Sequence, residues 1–431
     1  MDSLKAGLGI VNITPPMDVE MLGYGPYLSR KCDGIHDELK SSALVLDDGK
    51  KKLAIISNDL VGVDKEITNA VRTLVTNRTN IPPDNVLVAC THTHSGPATY
   101  YARAWGECDR QYLEVLPREI AGAVDIALNN MQTVTVRLGI DYLDNLGYNR
   151  DVKDGPMDTE LGVISFYKED GTPYVFLTNF ACHGVTMKHD NRKISRDYPG
   201  VAATIVEKVF PTAKMMFLQG SCGDINPILV HTGKVNEAGT LFAGEILKTI
   251  INSKELDNIT LDAISRQIDL PVLIPDAKEV QRVLDESQKK LEDVGISGDN
   301  KKWDVFYADW AKSMLNKLKN SSESSMPAEI QCMRIGDVIL ACNPSELFTQ
   351  FSLDIKRESQ MKTFVVAYAN DMVGYIPDTG NFERGAYAAV LVPKILDNFQ
   401  FDKNVGNVLE EETLKMINEM KNRTQSSNEI L

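Results

Sequence analysis

The sequence predicts an α/β fold, a mixed β-sheet core flanked by helices, with a helical hairpin inserted late in the chain. Three observations carry this. Short apolar runs such as "LAIIS" and "NVLVAC" alternate with segments of helical period over the first half. The runs in "LGVISFYKEDGTPYVFLTNF" and in "EIQCMRIGDVILAC" are separated only by a turn, which makes antiparallel neighbours and hence a sheet of both strand senses. Residues from about 277 to 320 are instead charge-rich and helix-periodic.

Taken in order, "LAIIS" (Leu53 to Ser57) reads as a buried strand, and Ile67, Val71, Leu74 and Val75 then fall on one helical face. "NVLVAC" is the next strand. "YLEVLPREIAGAVDIALNNM" is a long helix with Pro117 near a first turn or at a kink. "TVTVRLGI" alternates as a half-buried strand, and Glu169-Asp170-Gly171 turns the following hairpin. Pro199 to Val209 is a short helix, "AKMMFLQG" a strand and Ala238 to Ile251 a helix. In the insertion, "EVQRVLDESQKKLEDV" and "WDVFYADWAKSMLNKLKN" are separated by Gly295, Gly298 and Asp299. They form either a solvated hairpin or a partner-binding arm. Gly336-Asp337 joins two further strands, and the last ten or so residues look frayed. No linker or repeat divides the chain, so residues 1–431 read as a single domain.

Composition narrows the function. At 43% apolar and 25% charged the chain is ordinary for a globular protein. A net charge of −14 leaves no basic surplus to neutralise phosphates, which argues against nucleic acid or an anionic membrane as partner. No run approaches the roughly 18 to 20 apolar residues of a membrane span, and "MDSLKAGLGIVNITPP" has no signal-peptide core. The expectation is a cytoplasmic protein acting on a small molecule, with a homo-oligomer left open. Seven widely spaced cysteines without a C-x-x-C pair speak against a thiolate zinc site and a disulfide framework.

Chemistry-bearing residues gather where apolar runs stop. The chain has only six histidines, yet "VLVACTHTHSGP" places His92 and His94 one residue apart. If the strand persists past Cys90, both point to one face. Alone, the pair is as compatible with packing as with metal or catalysis. "VFLTNFACHGVTM" carries a second apolar run into His183. "LQGSCGDINP" runs a strand into a glycine turn with Asp224 and Asn226, whose N–H groups can face a substrate oxygen; a capped tight turn is the structural alternative. Glu346 in "VILACNPSELF" follows a strand, or else opens a helix after Ser345. Asn370, Asp371 and Tyr375 follow another run in "YANDMVGYIPD".

The set "GIVNITPP", "GIHDELKSSALVLDDG", "THTHSGP", "FACHGVTM", "GDINP", "NPSELF" and "GYIPD", in this order, resembles the neutral, non-lysosomal ceramidase family in its short bacterial-type members. The resemblance runs roughly from Gly7 to Leu396. It implies one zinc ion per chain held by His92, His183, Glu346 and Tyr375, with His94 a second, non-ligand histidine of the active site and Arg150 of "YNRD" an arginine of the pocket. Two imidazoles, a carboxylate and a phenolate suit zinc and leave room for water. Zinc lowers the pKa of that water toward 7 and polarises a carbonyl, so hydrolysis needs no covalent intermediate.

This chain departs from the family pattern at the "GD-x-x-P" turn, where a serine regarded as catalytic is replaced by Asn226. The expectation is also that the second, immunoglobulin-like domain of ceramide-cleaving members is missing, since the sequence ends near Leu431. The expectation is therefore a zinc hydrolase, an amidase before an esterase or glycosidase, with a substrate other than ceramide that is small and polar. His94 and Asp224 would move or orient protons, and Asn226 or Arg150 would steady the oxyanion. The competing expectation is a catalytically silent ligand-binding relative. His36 in "GIHD", Asp59 in "SNDLVG" and Asn370 stand at similar strand ends or loops and are expected to contact substrate; a second divalent cation is compatible with His36 and Asp59.

Overall fold

The structure is a computed structural model that describes residues 3–25, 30–257, 259–292, 299–320 and 324–428. Its strand Lys5–Asn12 pairs antiparallel with Lys40–Asp47, which pairs antiparallel with Lys52–Asn58, and that strand pairs parallel with Val86–Cys90. On its other side Lys5–Asn12 touches Gln132–Tyr142. From there the sheet continues through Glu160–Lys168 and Pro173–Phe180 to Lys214–Gln219, the last pair parallel. A second sheet runs in the order Lys362–Val366, Val338–Cys342, Ser325–Ile335, Leu261–Leu273, Gln400–Phe401.

Because side chains alternate along a strand, each strand of the first sheet faces two layers. In Lys40–Asp47 and Lys52–Asn58, Leu44, Leu46, Leu53 and Ile55 face Met333, Ile335, Leu340 and Phe364 of the second sheet, forming a core between the sheets. The alternate residues Ala43, Val45, Ala54 and Ile56 face the helices Lys65–Thr79, Arg110–Asn129, Asp197–Val209 and Val235–Ile251. On the far side, the helices Thr349–Glu358 and Val405–Asn428 cover the second sheet. The mixed α/β core is thus two sheets sandwiched between helices, where the sequence pattern indicated sheet and helix without the layer count.

Most elements lie where the periodicity puts them, with instructive shifts. Pro117 sits in the interior of Arg110–Asn129, past the first turn. Glu346 belongs to the short strand Ser345–Leu347, and the next helix starts only at Thr349. The expected frayed end is helical through Asn428. Gly295 and Gly298 of the insertion lie outside the described residues.

The insertion itself, Ala277–Glu292 and Asp299–Asn320, packs around Val280, Leu284, Trp310, Ala311 and Met314. It docks on the body through Trp303 against Trp105 and through Phe306. Arg103 fastens it by an ion pair to Asp309, and Asp397, itself paired with Arg103 at 2.5 Å, accepts from the Ser313 hydroxyl of the insertion at 2.8 Å. Its two ends continue into Leu261–Leu273 and Ser325–Ile335, which pair antiparallel over eleven positions from Leu261↔Ile335 to Pro271↔Ser325.

One feature of the first sheet positions the site. Its two edge strands, Val86–Cys90 and Lys214–Gln219, approach each other, and the Gln219 amide donates across the gap to the carbonyl of Thr91 at 3.2 Å and of Cys182 at 2.9 Å. The loops leaving Val86–Cys90 and Pro173–Phe180 at their carboxyl ends, where α/β sheets commonly bind ligands, are therefore held side by side.

Candidate active site

Those two loops carry the histidines. The strand ends at Cys90, and His92 takes a φ of 60°, in the left-handed region. The common aim of His92 and His94 is thus made by a turn and not by strand alternation, contrary to the sequence expectation. The loop is pinned by His92 N–H to the Leu60 carbonyl at 2.9 Å, and to the second loop by His94 N–H to the Gly184 carbonyl at 3.2 Å. Glu346 and Tyr375 arrive from the second sheet on the short parallel strands Ser345–Leu347 and Gly374–Ile376, where they are register partners.

Each imidazole is oriented by a backbone carbonyl. Nδ1 of His92 meets the Val61 oxygen at 2.6 Å, that of His94 the Gly23 oxygen at 2.8 Å, and that of His183 the Ile225 oxygen at 2.9 Å. A carbonyl can only accept, so each Nδ1 carries a proton, and in the neutral ring Nε2 is then the atom with the lone pair. These three nitrogens converge within 4.8 Å of one another. Nε2 of His94 lies 3.0 Å from Nε2 of His92, and Glu346 Oε2 lies 3.3 Å from His92 Nε2 and 3.4 Å from His183 Nε2. His183 Nε2 and Glu346 Oε2 are buried without a hydrogen-bond partner.

Protons do not relieve this crowding of acceptors. Burial, helped by the neighbouring cations and imidazoles, pushes His183 down to about 4 and His94 well below the usual imidazole range. Burial pushes the Glu346 carboxyl up, but any proton on His92 or His183 outweighs it and holds the group well below the usual carboxylate range, so Glu346 stays ionised. Lone pairs facing a carboxylate in a dry pocket are what a divalent cation neutralises. Nitrogen and oxygen donors without thiolate fit zinc. The donor set therefore passes the test for a metal, and its geometry includes His94 as well as His92 and His183.

Tyr375 borders the cluster. Burial pushes its phenol well above the usual value, with Arg150 pulling the other way and donating from Nη2 to the Tyr375 oxygen at 2.8 Å. The second proton of that nitrogen goes to the Gly223 carbonyl at 2.7 Å, and Nη1 reaches Asn226 Oδ1 at 3.3 Å. Since a guanidinium only donates, this contact orients the Asn226 amide and leaves its NH₂ free to donate. Asp224 is placed otherwise. Its carboxylate takes hydrogen bonds from the Thr349 N–H at 2.9 Å, the Thr349 hydroxyl at 2.8 Å and the Asn149 amide at 2.8 Å. That is a buried clasp holding the turn, not an open proton carrier.

Of the remaining expected contacts, none joins the cluster. Asn370 is buried, its amide clamping Val88 N–H at 2.9 Å and Gln331 at 2.9 Å between the two sheets. His36 meets Asp37 at 2.7 Å in a separate recess beside Arg196. Asp59 opens onto a cavity of about 20 Å³ with Arg196 and Thr91.

Other parts of the site are absent from the motif reading. Tyr368, at φ 54°, stacks on His92 with ring centres 3.8 Å apart and 19° between planes. Gly23, at φ 120°, lies so close to His94 that a Cβ would stand 2.6 Å from the ring. At Gly223 a Cβ would come 2.5 Å from the Glu346 carbonyl, so the turn can pass the second sheet only as glycine. An aromatic closing an apolar run, as in "VVAYAN", looks like core, which hides Tyr368 from a sequence reading.

A sequence model of the N-terminal region of the neutral/alkaline non-lysosomal ceramidases matches residues 4–238, more than half of the chain. The chain belongs to that family. Among curated members of the neutral ceramidases, that of Drosophila melanogaster is 24% identical over 255 residues, 52% of this chain and 36% of the relative. That of Oryza sativa is 28% identical over 223 residues, 47% and 28%, and that of Pseudomonas aeruginosa 26% over 224 residues, 46% and 33%. The match thus spans about a third of the length of these ceramidases. The crystal structure of the Pseudomonas aeruginosa neutral ceramidase superposes with a TM-score of 0.78 at 19% identity, covering 98% of this chain and 75% of that one. The ceramidase fold therefore extends past residue 238 and includes the strands bearing Glu346 and Tyr375.

Proposed function

We propose that this ceramidase-family chain is a zinc-dependent hydrolase that cleaves an amide bond in a small polar substrate other than ceramide. The carrying observation is the convergence of three imidazole Nε2 atoms, each ring oriented by a backbone carbonyl, on one carboxylate, with His183 Nε2 and Glu346 Oε2 buried and unpartnered. One zinc ion held by His92, His183, Glu346 and Tyr375 would supply Lewis acidity and a water acidic enough to attack near neutral pH.

The chain's own groups do the rest. His94, fixed by Gly23, offers Nε2 as the proton acceptor and then returns that proton to the leaving amine. Asn226, with Oδ1 turned to Arg150, offers its NH₂ to the developing oxyanion. Arg150 keeps Tyr375 polarised, and Asp224 fixes the turn that presents Asn226. No acyl-enzyme forms at position 226, because an amide stands there in place of a hydroxyl.

The same Asn226 also favours a second reading, a catalytically silent relative that only binds. Elemental analysis of protein purified without chelator, combined with a screen of N-acyl and O-acyl compounds, separates the two: metal with turnover supports the hydrolase, metal without turnover the binder. A cytoplasmic location fits the seven unpaired cysteines, six of them buried. Among the described residues no helix is long and apolar enough to cross a membrane.

A further inference from the structure

Every hydrogen-bond acceptor of the Arg150 side chain is neutral: the Asn226 amide, the Gly223 carbonyl and the Tyr375 hydroxyl. A guanidinium carries five N–H groups, so two remain without an acceptor. The adjacent acid does not serve it. Asp151 is taken by Arg384 at 2.5 Å and by the Asn381 amide at 2.9 Å. Arg72, by contrast, is paired in the core with both oxygens of Glu329, at 2.7 and 2.9 Å.

The guanidinium, whose charge burial opposes and Tyr375 and Glu346 favour, faces a recess of about 240 Å³ bordered by Arg150, Gly223, Phe348, Asn381, Tyr387 and Asp151, the last already held by Arg384. That is below the roughly 300 to 1,000 Å³ of typical ligand pockets, so its occupant is small. One wall is aromatic: Phe348 is buried, and Tyr387, 48% exposed, presents a ring 6.1 Å from that of Tyr375. Arg150 and Tyr375 form the boundary between this recess and the imidazole cluster.

We propose that this recess is a specificity subsite for a carboxylate, carried on a flat or short group of the substrate, with Arg150 as the group that reads the charge. The inference rests on the reading of the neighbouring cluster as the reaction centre, and it narrows the substrate to an N-acyl compound bearing a carboxylate near the scissile bond. A planar carboxylate matches the free edge of a guanidinium and places an attached ring against Tyr387. A long, uncharged lipid offers neither feature.

The test is calorimetric binding to the protein as purified, which needs no turnover. Benzoate is expected to bind, benzamide of the same shape to bind at least tenfold more weakly, and inorganic phosphate to bind more weakly than benzoate. Arg150→Gln is expected to lose benzoate affinity at least tenfold, and Arg150→Lys less, with metal content measured in each. Equal affinity for benzoate and benzamide in the parent overturns the proposal whether or not the variants fold. So does benzoate binding undiminished by Arg150→Gln, which would place it on the metal instead, and so does phosphate binding as tightly as benzoate. Benzoate binding as expected without hydrolysis of any N-acyl carboxylate would count against the hydrolase and leave the subsite standing.

Discussion

The imidazoles of His92 and His94 meet Nε2 to Nε2 at 3.0 Å, each with its Nδ1 turned to a backbone carbonyl, so that in their neutral forms both rings put a lone pair into the gap. Two acceptors at that distance repel, and a cation beside them removes the repulsion. Proximity alone makes all three histidines candidates, while the family pattern leaves His94 out of the coordination. The two assignments differ in outcome. His183→Ala is expected to purify with its zinc lost or greatly reduced. His94→Ala is expected to keep about one zinc per chain and lose roughly 10²- to 10⁴-fold in kcat, the range of a general acid–base group. Elemental analysis beside kinetics decides it. Zinc lost equally from both variants would make His94 a ligand, and zinc kept by both would remove the metal centre.

Metal binding here is also a stability statement. An ion that binds the native state but not the unfolded chain adds about 2.7 kcal/mol at a free concentration of 100 times Kd. Chelator-treated protein is therefore expected to unfold at lower temperature, recovering on addition of zinc. The His183→Ala variant should show no such recovery. A chelator-insensitive parent contradicts a resident ion in the cluster.

Ceramide is expected to be a poor substrate. The recess next to Tyr375 has a volume of about 240 Å³ and carries Arg150 and Asn381 on its wall, which is no bed for a long acyl chain. Turnover of long-chain ceramide in detergent at a rate comparable with a short, soluble N-acyl compound is the result that would reject this.

Asp59 gives a pH-dependent test away from the cluster. Burial raises its carboxyl to about 6, against the pull of Arg196 and of the Lys40 N–H. A native pKa above the unfolded value near 3.8 means the native state binds the proton more tightly. The stabilising contribution is thus full below about pH 3.8 and lost as pH rises through about 6. At pH 8 the ionised group costs at most about 3 kcal/mol, less because it opens onto a small cavity. Asp59→Asn is expected to be more stable than the parent in urea at pH 8, the gain vanishing toward pH 4. A pH-independent difference would show that Asp59 ionises as it does in the unfolded chain.

Much of the fold and of the site is legible because both follow from where apolar runs stop. His92, His183, Glu346 and Tyr375 each lie a few residues beyond such a run, and the structure brings all four together with His94 and Arg150. The same signal also marks Asp59, His36 and Asn370, which end elsewhere: period-two patterning shows where a strand stops, not what faces it across the fold. Stacking of two sheets and the approach of Val86–Cys90 to Lys214–Gln219 are non-local and leave no periodic trace. The carbonyls of Val61, Gly23 and Ile225, which set the tautomers, belong to residues whose side chains say nothing about the task.

The last prediction concerns the hydroxyl that Asn226 replaces. A serine acting as nucleophile must surrender a proton and carry an acyl group, and an amide can do neither. If that were the required chemistry, this turn would be inert. If the turn's task is to donate a hydrogen bond to the oxyanion, Asn226 can perform it, because Arg150 holds its Oδ1 and leaves the NH₂ to donate. Asn226→Ala is then expected to lower kcat by roughly ten- to a thousandfold, the scale of one oxyanion donor, with zinc content unchanged. Asn226→Ser restores a donor of different reach and should recover part of that loss without trapping an intermediate. Mass spectrometry after rapid quench checks the last point. A covalent acyl adduct on the parent, or an Asn226→Ala variant as fast as the parent on a hydrolysed substrate, would remove Asn226 from the mechanism.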